Sequence, residues 1–320
     1  MKPVLLVLRA LGLGDFLTGV PAYRALARAF PTHRRVLAAP RALHALLPLL
    51  GGAFDAAVDA NPLEPLGEHA PAPDVAVNLH GCGPQSHALL AALGPRRLIA
   101  FAHPAVPESA SNPRWCADEH EVLRWCRLLT ESGIPADPAD LDLAAPLAPA
   151  PPAFAGATIV HPGAASASRR WPAERFAAVA RHCARRGDTV IVTGAPQERA
   201  LTAEVRRLAH LPREADLGGR TNVLELAALV AGAGRLISGD TGVAHLASAY
   251  RVPSLVLFGP VSPAQWGPPR RAQHRTLWAG RNGDPHAPQT DPGLRALATR
   301  RVLRELSQLP ARVENRAPLP

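Results

Sequence analysis

The chain has 320 residues, 47% hydrophobic and 19% charged, which is enough for two ordinary domains with separate cores and excludes a disordered or collagen-like chain. Its formal net charge of +9 is unevenly placed: residues 1–150 carry 12 Lys and Arg against 14 Asp and Glu, residues 151–320 carry 23 against 12. Lys2 is the single lysine, and a compositional bias explains arginine over lysine better than it explains the asymmetry, which points to an anionic ligand or surface on the second half.

In chain order, Val4–Leu8 is an apolar run of strand length. Residues 17–29 have helical periodicity and stop at Pro31. Residues 74–79 and 98–101 read as strands, with a helix over 85–93 between them. The segment AAPLAPAPP at 144–152 is a semi-rigid spacer. It divides a domain over 1–150 from one over 151–320. After it come a strand at 158–160, a helix at 173–186 with Pro172 at its start and Gly187 past its end, a strand at 189–193 and a helix at 197–209. A helix over 222–231 opens on Asn222 with Glu225 three residues on, a capping-box pattern. Strands 236–238 and 254–258 flank a helix over Gly242–Ala249, and a terminal helix spans 294–309. Strand–helix alternation in both halves predicts parallel sheets with crossover helices. Ligands of such sheets bind beyond the carboxyl ends of the strands, so the loops after strands are where chemistry is expected.

Five such loops stand out. Residues 9–18, RALGLGDFLT, follow the first strand, and Gly12 and Gly14 permit tight turning. Asp15 sits at the mouth of the next helix, where it is a dipole partner or a general base. The dinucleotide fingerprint would need glycine where Leu17 stands, so NAD is not supported. Residues 78–87, NLHGCGPQSH, offer His80, Gln85 and Ser86 to sugar hydroxyls. Residues 161–171, HPGAASASRRW, join a small-residue loop to Arg169 and Arg170. Backbone N–H groups and guanidinium forks suit a diphosphate, although an exposed basic loop has the same composition. In GAPQE, residues 194–198, Glu198 is a ribose-hydroxyl acceptor or an ordinary first-turn acid. In SGDTGVAHLASA, residues 238–249, Asp240, Thr241 and Gly242 precede a helix whose first N–H groups form an anion site, with His245 in its first turn.

The segments GLGDFLTGVPAYRAL, HPGAASASRRWPAERF, TGAPQE and SGDTGVAHLASA followed by VPSLVLFGP resemble, in order and spacing, the heptosyltransferase family of bacterial glycosyltransferases, glycosyltransferase family 9, over roughly residues 4–263. The resemblance implies an α/β chain of the GT-B type, two Rossmann-like doubly wound domains facing a cleft, with the acceptor on the first domain and the nucleotide-sugar on the second. It implies inversion at the anomeric carbon without a metal ion or cofactor. The sequence reading agrees in taking the chain to lack a metal-binding D-x-D motif. Asp15 stands where the family has its catalytic base. Arg169 stands where many members have a lysine on the donor phosphates. Glu198 matches the acid near the donor ribose, and Asp240, Thr241, Gly242 and His245 match the DTGxxH segment. His161, Gly163 and Ser166 belong with the donor loop, and Gly14, His80 and Gln85 with the acceptor or sugar. Some members carry Thr–Thr where this chain has Ala164 and Ala165; Ser166 or Ser168 is expected to substitute.

The expected partners are a nucleotide-diphosphate sugar, ADP-heptose-like, and a glycan or glycolipid acceptor, with no nucleic acid. Cys82, Cys116, Cys126 and Cys183 form no CxxC pair, which fits a reducing compartment. The N-terminal apolar run is cut by Arg9 and Asp15 and is not read as a signal peptide. A cytoplasmic location is expected. Because residues 269–320 carry 10 basic and 4 acidic side chains, peripheral contact with the inner face of the membrane is expected too. The terminal helix is expected to cross back onto the first domain. Two alternatives stay open: a nucleotide-sugar epimerase on the same fold, which needs further acid–base groups, and a nucleotide-binding protein without turnover.

Overall fold

The computed structural model describes residues 2–67 and 70–312; the end of the basic segment, with Glu314 and Arg316, lies outside the described residues. The chain divides into two compact units, Met1–Ala145 and Pro146–Pro320, at the start of the proline-rich spacer.

The first unit runs β1 (Val4–Leu8), α1 (Leu13–Thr18), α2 (Val20–Ala29), β2 (Arg34–Ala39), β3 (Ala56–Asp59), β4 (Val75–Asn78), α3 (Gln85–Ala91), β5 (Arg97–Ile99) and α4 (Glu121–Glu131). Its five strands are all parallel, in the order β3-β2-β1-β4-β5. β1 and β4 are buried almost throughout, as central strands covered on both faces must be. The predicted helix over 17–29 is instead two helices meeting at Gly19. Pro21 has no N–H to give the Leu17 carbonyl, so the ladder restarts, and the Gly19 N–H closes on the Asp15 and Phe16 carbonyls. Asp15 therefore lies in the first turn of α1.

The second unit runs β6 (Thr158–His161), α5 (Ala173–Arg185), β7 (Val190–Val192), α6 (Arg199–Ala209), α7 (Val223–Gly232), β8 (Arg235–Gly239), α8 (Gly242–Ala249), β9 (Ser254–Leu257), α9 (Pro263–Trp266), β10 (His274–Leu277), α10 (Pro292–Ala296) and α11 (Thr299–Ser307). Its sheet is also all parallel, in the order β10-β9-β8-β6-β7. The capping box of α7 forms as the sequence indicates: Asn222 Oδ1 accepts from Leu224 and Glu225 N–H, and Glu225 Oε2 accepts from Asn222 N–H. The predicted terminal helix breaks at Leu297, whose carbonyl is held by Trp171 Nε1 at 3.1 Å and Arg175 Nη1 at 3.0 Å. Val302 and Leu306 of α11 join Trp171, Phe176, Val179 and Cys183 in the core of the second unit, and Arg275 of β10 pairs with Glu305.

Two different doubly wound orders result. In each sheet the order reverses once, between β1 and β4 in the first unit and between β6 and β8 in the second. The loops leaving those four strands open the crevices where ligands of such sheets bind.

Candidate functional site

In the first unit the switch-point crevice is built on Arg9. Leu8 and Asn78 are register partners at the ends of β1 and β4, so the loops that follow start side by side. The Arg9 side chain is fully buried. Its Nε donates to the Asp15 carbonyl at 2.6 Å, Nη1 to the Leu79 carbonyl, and Nη2 to Thr18 Oγ1 and Glu121 Oε1, both at 3.0 Å. Burial opposes its charge, but Glu121 and then Asp15 outweigh burial and hold the guanidinium protonated. Asp15 keeps 28% of its side chain exposed, with Oδ1 3.9 Å from Arg9 Nη2. Gly12 caps the start of α1 in extended backbone, and Gly14 is half-buried in its first turn.

The neighbouring loop is held by Asn78. Its amide donates to Ser86 Oγ and to His87 Nδ1, each at 2.8 Å, and its Oδ1 accepts the His80 N–H at 2.7 Å. His87 Nε2 lies 2.7 Å from the Phe101 carbonyl. A carbonyl only accepts, so Nε2 carries the proton and Nδ1 is the acceptor for Asn78. His80 is half-buried, with Nδ1 buried and unpartnered among the described residues. Burial, and then the Arg9 charge, push it down to about 4. Gln85 is exposed at the start of α3. Ser86 is buried and committed to Asn78, so it is not available to sugar hydroxyls as the sequence reading offered.

In the second unit His161 and Ser238 are register partners at the ends of β6 and β8, which brings the Arg169 loop and the Asp240–Gly242 turn to one crevice. His161 is buried, with Nδ1 2.9 Å from Thr193 Oγ1 at the end of the adjacent strand, and burial pushes it down to about 4. Gly163 packs on Glu198, where a Cβ would overlap the carboxylate. Glu198 is 5% exposed and accepts the Ala195 N–H at 2.8 Å.

The two arginines of the loop differ. Arg170 donates Nε to the Ala164 carbonyl at 2.9 Å, and its Nη2 is 3.9 Å from Glu198. Arg169 makes no such bond with its side chain among the described residues, and its Nε is buried without a partner. The serine substitutes fare unequally. Ser168 is fully buried and donates to the Pro285 carbonyl at 2.7 Å; Ser166 is half-buried, 3.1 Å from Ser168 Oγ and 3.3 Å from the Ala287 carbonyl. Ser168 therefore serves to fasten residues 285–291 over the loop, and the expectation that it replaces a missing threonine is withdrawn.

Asp240 is buried, and its N–H donates to the Leu257 carbonyl at 3.1 Å. Thr241 caps α8 in extended backbone, leaving the first N–H groups of α8 at the crevice. Thr241, Gly242 and His245 are half-buried, and the His245 ring packs edge-on against Trp266 at 6.1 Å.

A D-x-D string does occur, contrary to the sequence reading, at Asp140–Leu141–Asp142. Asp140 there is consumed by ion pairs with Arg24 at 2.5 Å and Arg28 at 3.1 Å. Among the described residues no group of three His, Cys, Asp or Glu is placed to hold a metal ion. No described helix is long and apolar enough to cross a membrane. What the sequence reading missed most is Arg9, Thr18 and Glu121. Arg9 and Glu121 are 112 positions apart, and nothing in their spacing signals the pair.

The chain is 32% identical over 107 residues to lipooligosaccharide heptosyltransferase 2 of Haemophilus influenzae, covering 32% of this chain and 30% of that protein. It is 36% identical over 132 residues to lipopolysaccharide heptosyltransferase 1 of Pseudomonas aeruginosa, covering 40% and 35%. The matched stretch thus spans about a third of these curated relatives. In three dimensions the chain resembles the ADP-heptose lipopolysaccharide heptosyltransferase II of E. coli, with a TM-score of 0.73 and 20% identity over 95% of this chain and 97% of that one. That likeness establishes the GT-B fold. The family model for glycosyltransferase family 9 (heptosyltransferase) matches residues 108–292, and the chain belongs to that family.

Proposed function

We propose that this protein transfers heptose, or a closely related sugar, from an ADP-activated donor to a glycan or glycolipid acceptor, with inversion and without a metal ion. The observation that carries the reading is the sorting of residue types at the two switch points. One crevice holds a partly exposed carboxylate, Asp15, and an imidazole, His80, that burial and the Arg9 charge push down to about 4. The other holds an uncommitted guanidinium, Arg169, and the first N–H groups of α8.

In this mechanism Asp15 accepts the proton of the attacking hydroxyl as its oxygen bonds to the anomeric carbon. The bond from that carbon to the diphosphate breaks, and the charge growing on the departing phosphate is met by Arg169 and the α8 N–H groups. Glu198 and Asp240 orient the nucleotide, with His161, Gly163, Ser166, Thr241, Gly242 and His245 shaping the donor loop; Gly14, His80 and Gln85 face the acceptor or the sugar. One displacement gives inversion, so a second carboxylate is not needed. The names of the similar proteins, heptosyltransferases acting on lipopolysaccharide or lipooligosaccharide with ADP-heptose, support the donor and acceptor classes. A cytoplasmic location with peripheral contact at the inner membrane face belongs to the same reading, and the exposed Arg300, Arg301 and Arg304 of α11 are the side chains that would meet anionic headgroups.

The test is release of ADP from ADP-heptose, with lipopolysaccharide stripped of its heptoses as acceptor, in the presence of EDTA. ADP should raise the melting temperature, and acceptor should accelerate its release. Activity that EDTA abolishes and Mg²⁺ restores would overturn the metal-free mechanism; no thermal shift with millimolar ADP would overturn the donor.

A further inference from the structure

A buried arginine at the end of the first strand is costly unless its charge is balanced and its five N–H groups are satisfied. Arg9 has its charge balanced and four of its N–H groups bonded to partners from three segments: the Asp15 carbonyl and Thr18 Oγ1 on α1, the Leu79 carbonyl on the loop before His80, and Glu121 on α4. Its guanidinium also lies over the Trp125 ring, 4.8 Å from the centroid, and Trp125 Nε1 donates to the same Glu121 oxygen at 2.8 Å. Glu121 Oε2 is taken by Arg124. Burial alone would raise the Glu121 carboxyl, but Arg9 and Arg124 outweigh it and hold it below the usual range, so it is a fixed anion.

The geometry is graded. The Arg9 guanidinium is 3.0 Å from the Glu121 carboxylate and 3.9 Å from that of Asp15, while it grips the Asp15 backbone at 2.6 Å. The partly exposed carboxylate is thus held in place through its main chain, and the charge that would otherwise clamp its side chain is spent on Glu121. A free ion pair with Arg9 would stabilise the Asp15 anion and make it a weaker base. Tyr23 on α2, raised chiefly by burial, and His80, pushed down by burial and the Arg9 charge, also face this cluster.

We propose that Arg9 is the positioning residue of the Asp15 loop, and that Glu121 sets how tightly Arg9 engages the Asp15 carboxylate. The inference rests on Asp15 being the base, but its first test, a titration, does not need turnover. The Asp side-chain carboxyl carbons are labelled with ¹³C and titrated by NMR in the wild type, with the Asp15 signal assigned by its loss in Asp15→Asn. In Glu121→Gln the Arg9 charge is uncompensated and the Asp15 midpoint should fall by about one pH unit, the size of effect a nearby opposite charge exerts. In Thr18→Val, which removes both the acceptor for Arg9 Nη2 and the bond to the Asp15 carbonyl at 2.9 Å, turnover should drop about 10-fold with the KM for ADP-heptose unchanged. Melting temperatures confirm that each variant is folded, and Thr18→Val keeps the proposal open to test should Glu121→Gln fail to fold. An Asp15 midpoint unchanged in folded Glu121→Gln, or wild-type turnover in Thr18→Val, would overturn the proposal. Full activity of Asp15→Asn would instead overturn the assignment of the base, leaving the coupling between Glu121 and Asp15 standing on the titration.

Discussion

Arg170 Nη2 lies 3.9 Å from the Glu198 carboxylate, so of two adjacent arginines in the donor loop one is committed to the loop itself and the other is not. Arg170 braces the loop from inside, through Glu198 and the Ala164 carbonyl. Arg169 makes no such bond among the described residues, its Nε being buried without a partner, and it is the guanidinium proposed to meet the donor phosphates. Arg169→Ala is therefore expected to weaken ADP binding 10-fold or more, as loss of a charge-assisted hydrogen bond does, while leaving the melting temperature of the unliganded protein nearly unchanged. Arg170→Ala should do the reverse, lowering the melting temperature more than the affinity. Calorimetric titration with ADP and thermal melts of both variants decide this; equal effects at both positions would remove the distinction.

Gly163 is the contact point between the donor loop and Glu198, with no room for a Cβ. Gly163→Ala must displace a carboxylate that is 5% exposed and bonded to the Ala195 N–H. A destabilisation of about 1–3 kcal/mol is expected from such overpacking, together with weaker ADP binding, because Glu198 moves. Denaturant unfolding with and without ADP separates the two effects. A variant as stable and as tight-binding as the wild type would show that the loop yields freely.

The strands that define both crevices were legible because parallel strands buried on both faces are largely continuous apolar runs, as in VLLVL and VAVN. The strands β2, β3 and β10 were not. β2 begins with Arg34 and Arg35, which breaks its apolar run, and β10, at the edge of its sheet, is the half-polar HRTL. Helix α4 was missed although its amphipathic pattern is strong; its Glu121 and Arg124 read as solvent-facing and are buried. The same blindness hid Arg9. A charge after a strand reads as a loop residue, and only the three-dimensional arrangement shows the distant carboxylate that neutralises it. The order of the motifs, by contrast, carried the family and with it the fold.

Asp15→Asn should leave the Arg9 contacts to the main chain intact, since Arg9 bonds the Asp15 carbonyl. Folding and ADP affinity are then expected to stay close to wild type, with turnover falling about 100-fold or more, the usual range for a lost general base. Single-turnover transfer from ADP-heptose measures this directly. Retained turnover would place the base elsewhere.

The last prediction concerns pH. His80, His161 and His274 are each pushed down to about 4, in every case chiefly by burial. In the folded chain these rings stay neutral well below the ordinary histidine value of about 6.5, whereas in the unfolded chain they protonate near it. Between pH 4 and pH 6.5 the unfolded state therefore binds more protons, and stability rises with pH across that window and levels off above it. His161 is the most buried of the three, and its Nδ1 lies 2.9 Å from Thr193 Oγ1. An asparagine there keeps a polar group near Thr193 and removes the titration. His161→Asn should accordingly flatten the slope of unfolding free energy against pH by one proton, about 1.4 kcal/mol per pH unit within the window. It should leave the slope above pH 7 unchanged. Urea unfolding at intervals from pH 4.5 to 8 reads the slope. If wild type and variant run parallel throughout, His161 has the same proton affinity folded and unfolded, and its burial at the end of β6 does not control acid stability.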